Sequence, residues 1–130
     1  MTTGLSDKAL LFARAFWPGP LSLLLPKSPA VPDLLTAGSA KVCVRCSACE
    51  TARALCREVG GPITSSSANR SGEPPVLSLA SLGLPGIAIG IDGGTLPPSP
   101  PSTVFDPELG TILREGAISK ALLDAVWTDP

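Results

Sequence analysis

A chain of 130 residues that is 44% apolar and 16% charged is long enough for one domain with its own hydrophobic core. Its net charge of −1 excludes a general attraction to nucleic acid or anionic membrane, so any basic site must be local. The absence of histidine excludes imidazole acid–base catalysis and histidine-ligated metals.

The first third of the chain predicts a helix and two strands. Ser6 can cap a helix that runs to about Phe16 and that Pro18 ends. The segment PLSLLLP (20–26) predicts a strand between prolines, and VPDLL after it predicts one helical turn. The segment KVCVRC (41–46) alternates and is rich in valine, which predicts a second strand.

The middle of the chain predicts two helices and two further strands. Residues 48–59 carry one apolar stripe with charged side chains opposite, which is typical of an amphipathic helix. A strand is predicted at 62–67, followed by a polar loop. A short helix is predicted near 77–82 and a strand at 86–92.

The last third predicts a hairpin and a helix. STVFD and TILRE form the hairpin around a turn from Pro107 to Gly110, and Ser119 caps the final helix. Strands that alternate with helices, together with this hairpin, predict an α/β fold with a mixed sheet.

No targeting or membrane segment is expected. The N-terminal stretch lacks a basic leading region, and Arg14 interrupts its only apolar run. PLSLLLP is too short to span a bilayer. Four cysteines without a secretory context favour reduced thiols in a cytoplasmic protein.

The loop at 64–72 is rich in small polar side chains. Ser65, Ser66, Ser67 and Asn69 let backbone N–H groups approach a ligand oxygen and add short donors of their own. In an α/β sheet, a loop just past a strand end is a common ligand site. It lacks the lysine and spacing of a P-loop. A binding loop and a solvated turn both remain open.

Three other features each have two interpretations. Arg45, in a predicted strand, needs either an anionic ligand or an edge position with its head in water. Cys43, Cys46, Cys49 and Cys56 suggest a metal site, but their predicted directions do not converge, so buried thiols are favoured. Trp17 is either a stacking platform or, as we favour, part of the core.

Six motifs together resemble the YrdC/Sua5 family. They are FWPGPLSLLLP, VCVR, GGPITSSSANRSGEPP, IDGG, STVFD and ILREGAIS, which extend from about Phe12 to Val126. The resemblance implies a twisted mixed β-sheet with flanking helices around a concave, positively charged cavity. It also implies that residues 1–130 form a single domain equal to the C-terminal two-thirds of the family domain.

The resemblance further implies a reaction. The family forms L-threonylcarbamoyl-AMP and pyrophosphate from L-threonine, bicarbonate and ATP, with Mg²⁺ and no protein-bound metal, for tRNA threonylcarbamoyladenosine synthesis. The residues that match threonine contacts are Arg45, Ser67 and Ser102. Those that match nucleotide contacts are Asn69, Arg114 and Lys41, which stands where a hydroxyl residue is usual. Such a site works by positioning and charge neutralisation, without a covalent catalytic residue.

Departures from the family pattern weaken the expectation of catalysis. The family's P-T-E/D-T-V-Y-G-L and K-x-R-P segments are absent, and VRxPxHP reads VRCSACE, with Cys49 and Glu50 replacing histidine and proline. Losing those contacts is expected to reduce ATP affinity and turnover by orders of magnitude. The alternative is a catalytically impaired module that binds double-stranded RNA, tRNA or a protein partner weakly, or self-associates through an exposed sheet edge.

Overall fold

The chain forms two compact units in the computed structural model, which describes residues 1–127. The first unit consists of Met1–Pro62 together with the chain from Pro100 onward, and the second of Ile63–Ser99. Residues 128–130 lie outside the described part, so a single domain over 1–130 remains a prediction, as does its share of the family domain.

The first unit contains a mixed four-stranded sheet and four helices. Strand β1 is antiparallel to β2 and parallel to β3, and β3 is antiparallel to β4, in the order β2-β1-β3-β4. This confirms the predicted α/β class. The elements are α1 Asp7–Phe16, β1 Leu21–Pro26, α2 Asp33–Thr36, β2 Lys41–Val44, α3 Glu50–Glu58, β3 Thr103–Asp106, β4 Thr111–Arg114 and α4 Lys120–Trp127.

Helix ends follow the predicted capping residues. The Ser6 hydroxyl accepts a hydrogen bond from the Ala9 N–H at 3.2 Å, which satisfies a free donor of the first turn of α1. The Ser119 hydroxyl accepts from the Leu122 N–H at 3.4 Å at the start of α4. Gly60, just after α3, has φ of 71°, the left-handed conformation that glycine adopts at helix ends.

The hydrophobic core lies on one face of the sheet. Leu21, Leu23 and Leu25 of β1 are buried at alternate positions, as the period of a strand requires. Phe12 of α1 contacts Phe105 of β3 edge-to-face, with ring centroids 4.6 Å apart. Each such side chain contributes about 1.5–3 kcal/mol on burial, so this face holds the sheet against α1 and α4.

The WPGP turn joins α1 to the sheet. Trp17 packs against the core, and its indole N–H donates to the Leu21 carbonyl at 2.7 Å, which agrees with the predicted core role. A side chain at Gly19 would come within 2.3 Å of the Phe16 carbonyl oxygen, so only glycine fits there. The Gly19 N–H donates to the Cys46 carbonyl at 2.9 Å, which fixes the chain just after β2.

The second unit differs from the predicted elements. Residues 62–67 and 86–92 form no strand, so both strand predictions are wrong, and the predicted helix near 77–82 is one 3₁₀ turn, Leu79–Ser81. Both segments carry strand-type sequence, but no neighbouring strand in the described chain takes their backbone donors and acceptors. In the first unit, the strand predicted over 41–46 ends at Val44.

Within residues 1–127, no helix is long and apolar enough to cross a membrane.

Candidate functional site

The face of the sheet opposite the core carries polar side chains. Ser22 lies between Leu21 and Leu23, so its side chain points away from them. Register aligns Ser22 with Val104, and Val104 with Arg114, so Ser22 and Arg114 share a face. Cys43 lies on the same face, because its register partner Leu24 is two positions after Ser22 on β1. We call this surface, which includes Ser102 just before β3, the polar face.

A chain of hydrogen bonds crosses the polar face from β4 to β1. The Arg114 Nε and Nη2 donate to the Ser102 carbonyl oxygen at 3.2 and 2.8 Å, and Nη2 also donates to the Ser102 Oγ at 3.0 Å. The Ser102 Oγ in turn lies 2.9 Å from the Ser22 Oγ. Among the described residues, the Arg114 Nη1 has no partner, so its two N–H groups are available to an oxyanion.

The backbone around Ser102 is itself fixed. The Thr103 hydroxyl donates to the Ile118 carbonyl at 2.7 Å and accepts from the Ile118 N–H at 2.9 Å. A side chain at Gly116 would lie 2.2 Å from the Pro101 carbonyl oxygen, so the loop after β4 packs directly on this backbone. The REGAIS segment therefore holds Ser102 in place on the polar face.

Arg45 brings a second guanidinium to the same region. It follows β2 directly and is exposed, and its side chain makes no hydrogen bond or ion pair within residues 1–127. Burial among protein atoms raises the pKa of the neighbouring Cys43 thiol, although its surface is partly exposed. A hydrogen bond from Ser22 and the charges of Arg114 and Arg45 partly offset that rise. Arg45 follows Cys43 by two positions, and Arg114 shares the polar face with Cys43.

Lys41 is engaged by an internal carboxylate. Its ammonium forms an ion pair with Asp106, whose side chain is 2% exposed at the end of β3. The other Asp106 oxygen accepts from the N–H groups of Glu108 and Leu109 at 3.0 and 3.2 Å, and so closes the β3–β4 turn. The nucleotide contact predicted for Lys41 remains a prediction.

Ser67 and Asn69 lie in the polar loop of the second unit. The Ser67 side chain is exposed and has no hydrogen-bond partner in the described chain. The Asn69 amide donates to the carbonyls of Arg70 and Glu73 at 3.0 and 2.8 Å, which shapes the turn. Its Oδ1 is buried and accepts no hydrogen bond within residues 1–127, which leaves one acceptor for a ligand.

The cysteines are neither buried nor clustered. Cys43 and Cys49 are exposed and Cys46 and Cys56 are half-buried, so the favoured prediction of buried thiols is wrong. The stripe on α3 that carries Cys56 buries no residue, which is why this thiol keeps access to water. Across residues 1–127, no group of three or more His, Cys, Asp or Glu side chains could hold a metal ion.

A cavity of about 530 Å³ lies elsewhere on the first unit, between the β3–β4 hairpin and α4. Its walls include Phe105, Ile112, Leu123 and Trp127. None of the predicted site residues lines this cavity. The cavity and the candidate site are therefore different places on the first unit.

Two polar residues that pair with predicted site residues, Ser22 and Asp106, have no role predicted from the sequence. Ser22 could have been noticed as the only polar side chain among the leucines of PLSLLLP. Asp106 could have been noticed because an aspartate before Pro-Glu-Leu-Gly often accepts the N–H groups of its own turn. Their partners, Ser102 and Lys41, are far along the chain.

These features define an α/β protein whose mixed sheet presents guanidinium and hydroxyl groups on one face, an arrangement suited to oxyanions. A Sua5/YciO/YrdC family model, described as "Telomere recombination", matches residues 1–116. The chain therefore belongs to the Sua5/YciO/YrdC family.

Similar proteins agree with this assignment. A threonylcarbamoyl-AMP synthase of Alkalilimnicola ehrlichii is 40% identical over 77% of this chain and 56% of its own length. One of Xanthomonas campestris is 36% identical over 85% of this chain and 61% of its own. The crystal structure of P. abyssi Sua5 complexed with L-threonine matches 99% of this chain and 39% of that one, with a TM-score of 0.88 and 34% identity. The chain thus spans less than two-thirds of these relatives.

Proposed function

We propose that this chain binds L-threonine and ATP and takes part in forming threonylcarbamoyl-AMP for tRNA threonylcarbamoyladenosine synthesis. The observation that carries the proposal is the hydrogen-bonded pair of Arg114 and Ser102 on the polar face, together with Arg45 two positions after Cys43 of the same face. The names of the relatives and the threonine complex of P. abyssi Sua5 support the choice of ligands.

The reaction would use these groups for positioning. The threonine amine adds to the carbon of bicarbonate, water leaves, and a carbamate oxygen attacks the α-phosphorus of ATP, with release of pyrophosphate. Arg45 and Ser102 would hold the threonine carboxylate, since a guanidinium binds a carboxylate through paired N–H groups. The free Nη1 of Arg114 would neutralise phosphate charge.

Other groups have more limited parts in the proposal. The threonine contact of Ser67 and the nucleotide contact of Asn69 remain predictions from the family motif. Magnesium is expected to accompany ATP, but the described residues form no cluster that fits a protein-bound ion, so no step here goes through it. A cytoplasmic location is also proposed, and cell fractionation would test it.

Calorimetric titration tests the binding claim. Wild type should bind ATP and threonine, and Arg45→Ala should weaken threonine binding about ten-fold, as expected for a lost charge-assisted pair. Arg57→Ala is the matched control, because it removes the same charge from an exposed pair with Glu50 on α3. Absence of heat with either ligand would overturn the proposal.

Catalysis needs a separate assay, because the chain spans only part of its relatives. Pyrophosphate release that requires both threonine and bicarbonate would establish turnover. Binding without release would instead support a catalytically impaired module.

The exposed apolar stripe of α3 gives a specific reason to test self-association. Leu55 and Val59 on this stripe are 43% and 64% exposed, and β2 and β4 are the edge strands of the described sheet. Sedimentation at high micromolar concentration would show dimers if these surfaces associate. RNA binding is expected to be weak at a net charge of −1.

A further inference from the structure

We propose that Ser22 is a positioning residue that orients the Arg114 guanidinium through the Ser102 hydroxyl. The proposal deepens the proposed function, on which it rests, because Arg114 is the predicted nucleotide contact. Ser22 has no family-derived role, and it reaches Ser102 from β1, an inner strand of the sheet.

Ser22 is well placed to act as a fixed anchor. Its side chain is 6% exposed, and its neighbours Leu21 and Leu23 are fully buried in the core. A buried hydroxyl needs a hydrogen-bond partner, since leaving it unpaired is costly. The Ser102 Oγ, 2.9 Å away, provides one. The anchor therefore moves only if the central strand moves.

The donor direction links three side chains. A guanidinium only donates, so the Ser102 Oγ accepts from the Arg114 Nη2. The Ser102 hydroxyl can then donate its own hydrogen bond either to the Ser22 Oγ or to a bound ligand. When a ligand oxygen accepts this hydrogen bond from Ser102, the Ser22 hydroxyl donates to the Ser102 Oγ instead.

Loss of the Ser22 hydroxyl should loosen Arg114. Ser102 is only half-buried, so without its partner the side chain can turn to other staggered rotamers. The Nη2–Oγ bond is lost in those rotamers, and only the bonds to the Ser102 carbonyl remain. A less ordered guanidinium must lose more side-chain entropy when it binds phosphate.

The first experiment needs no ligand. NMR relaxation of the Arg114 Nε–H gives its order parameter in wild type, Ser22→Ala and Ser22→Thr, which retains a hydroxyl. Val42→Ala is the control, because Val42 is only 6% exposed and lies on the other face of the sheet, so the change removes core packing without touching the polar face. The order parameter should fall in Ser22→Ala alone. An unchanged value in Ser22→Ala, or an equal fall in Val42→Ala, would overturn the proposal.

The second experiment measures ATP binding by calorimetry in the same proteins. Ser22→Ala should bind about five-fold more weakly, the effect of one hydrogen bond, with Ser22→Thr close to wild type. Ser102→Ala should show a similar loss, and the double variant little more, because both changes break one link. Additive losses, or equal affinities in wild type and Ser22→Ala, contradict positioning. If wild type binds no ATP, the proposed function fails, while the order parameters still decide the role of Ser22.

If Ser22→Ala does not fold, Ser22→Cys places a slightly larger and weaker donor at the same position. The Arg114 order parameter is then measured in Ser22→Cys and Ser102→Ala, and the value for Ser22→Cys should lie between those of wild type and Ser102→Ala. A value equal to that of wild type would count against the proposal.

Discussion

The ion pair between Lys41 and Asp106 should be a main support of the sheet end. Asp106 is 2% exposed and Lys41 is 28% exposed. Removing one partner of a fully buried pair costs roughly 3–5 kcal/mol because the other charge stays buried. Since water still reaches Lys41, and two N–H groups still bond to Asp106, we expect Lys41→Met to cost about 2 kcal/mol.

The assay is urea unfolding followed by far-UV circular dichroism. Asp106→Asn keeps the shape and removes the charge, so the double variant with Lys41→Met should lose less free energy than the two single losses added together. We expect a coupling of about 1 kcal/mol or more. Lys27→Met is the matched control: its partner Asp33 is 84% exposed, so this change should be milder.

Two results would refute this reasoning. Zero coupling between Lys41 and Asp106 would mean that the pair does not stabilise the fold. A large loss of ATP affinity in Lys41→Met, with the free energy of unfolding unchanged, would mean that the ammonium serves the nucleotide and not Asp106.

Three further predictions use other parts of the structure. Gly116→Ala should destabilise the first unit by about 2 kcal/mol or more, since its methyl group would overlap the Pro101 carbonyl, and urea unfolding checks this. Amides of 86–92 should exchange with deuterium far faster than that of Phe105, which lies in a paired strand; equal protection would show an unseen partner. With the other cysteines changed to serine, alkylation of Cys43 should be slow at pH 7, and its rate should rise only above the ordinary thiol pKa. The reason is that a raised pKa lowers the thiolate fraction at any given pH. A half-maximal rate below the ordinary thiol pKa would contradict this prediction.

The elements of the first unit were predictable because local pattern and tertiary context agree there. The alternation in β1 places Leu21, Leu23 and Leu25 on one side, and the structure buries all three. The hairpin of β3 and β4 forms around its predicted turn. Ser6 and Ser119 both cap helices as expected.

The absence of strands from the second unit, residues 63–99, was not predictable from the same kind of pattern. Ile87, Ile89 and Ile91 alternate as in a strand, yet they are 50%, 83% and 60% exposed. Alternation reports only which side chains would share a face. A strand also needs a neighbour for its N–H and C=O groups, and period alone says nothing about that neighbour.

The same holds for the candidate site: the sequence shows the chemical type of a side chain but not which residue it pairs with. Arginine and serine in family-like motifs predicted an oxyanion site, and that prediction used only side-chain chemistry and the family resemblance. The sequence could not show that Lys41 is tied to Asp106, or that Ser102 is bonded to Ser22, because each pair joins residues more than sixty positions apart. Such pairings are set by sheet order and register.

The sheet holds the polar side chains that the proposal assigns to ligand binding, whereas turnover needs further groups. Ser102 is anchored by β1 and the loop after β4, and Arg114 ends β4, so core packing between sheet and helices orients them. Under the proposed function, a chain that spans 56% of a synthase relative would retain these anion contacts. Catalysis needs further groups to bring the carbamate in line with the α-phosphorus. From the proposed function we therefore expect measurable ATP binding with little or no pyrophosphate release, which the calorimetric and pyrophosphate assays check together.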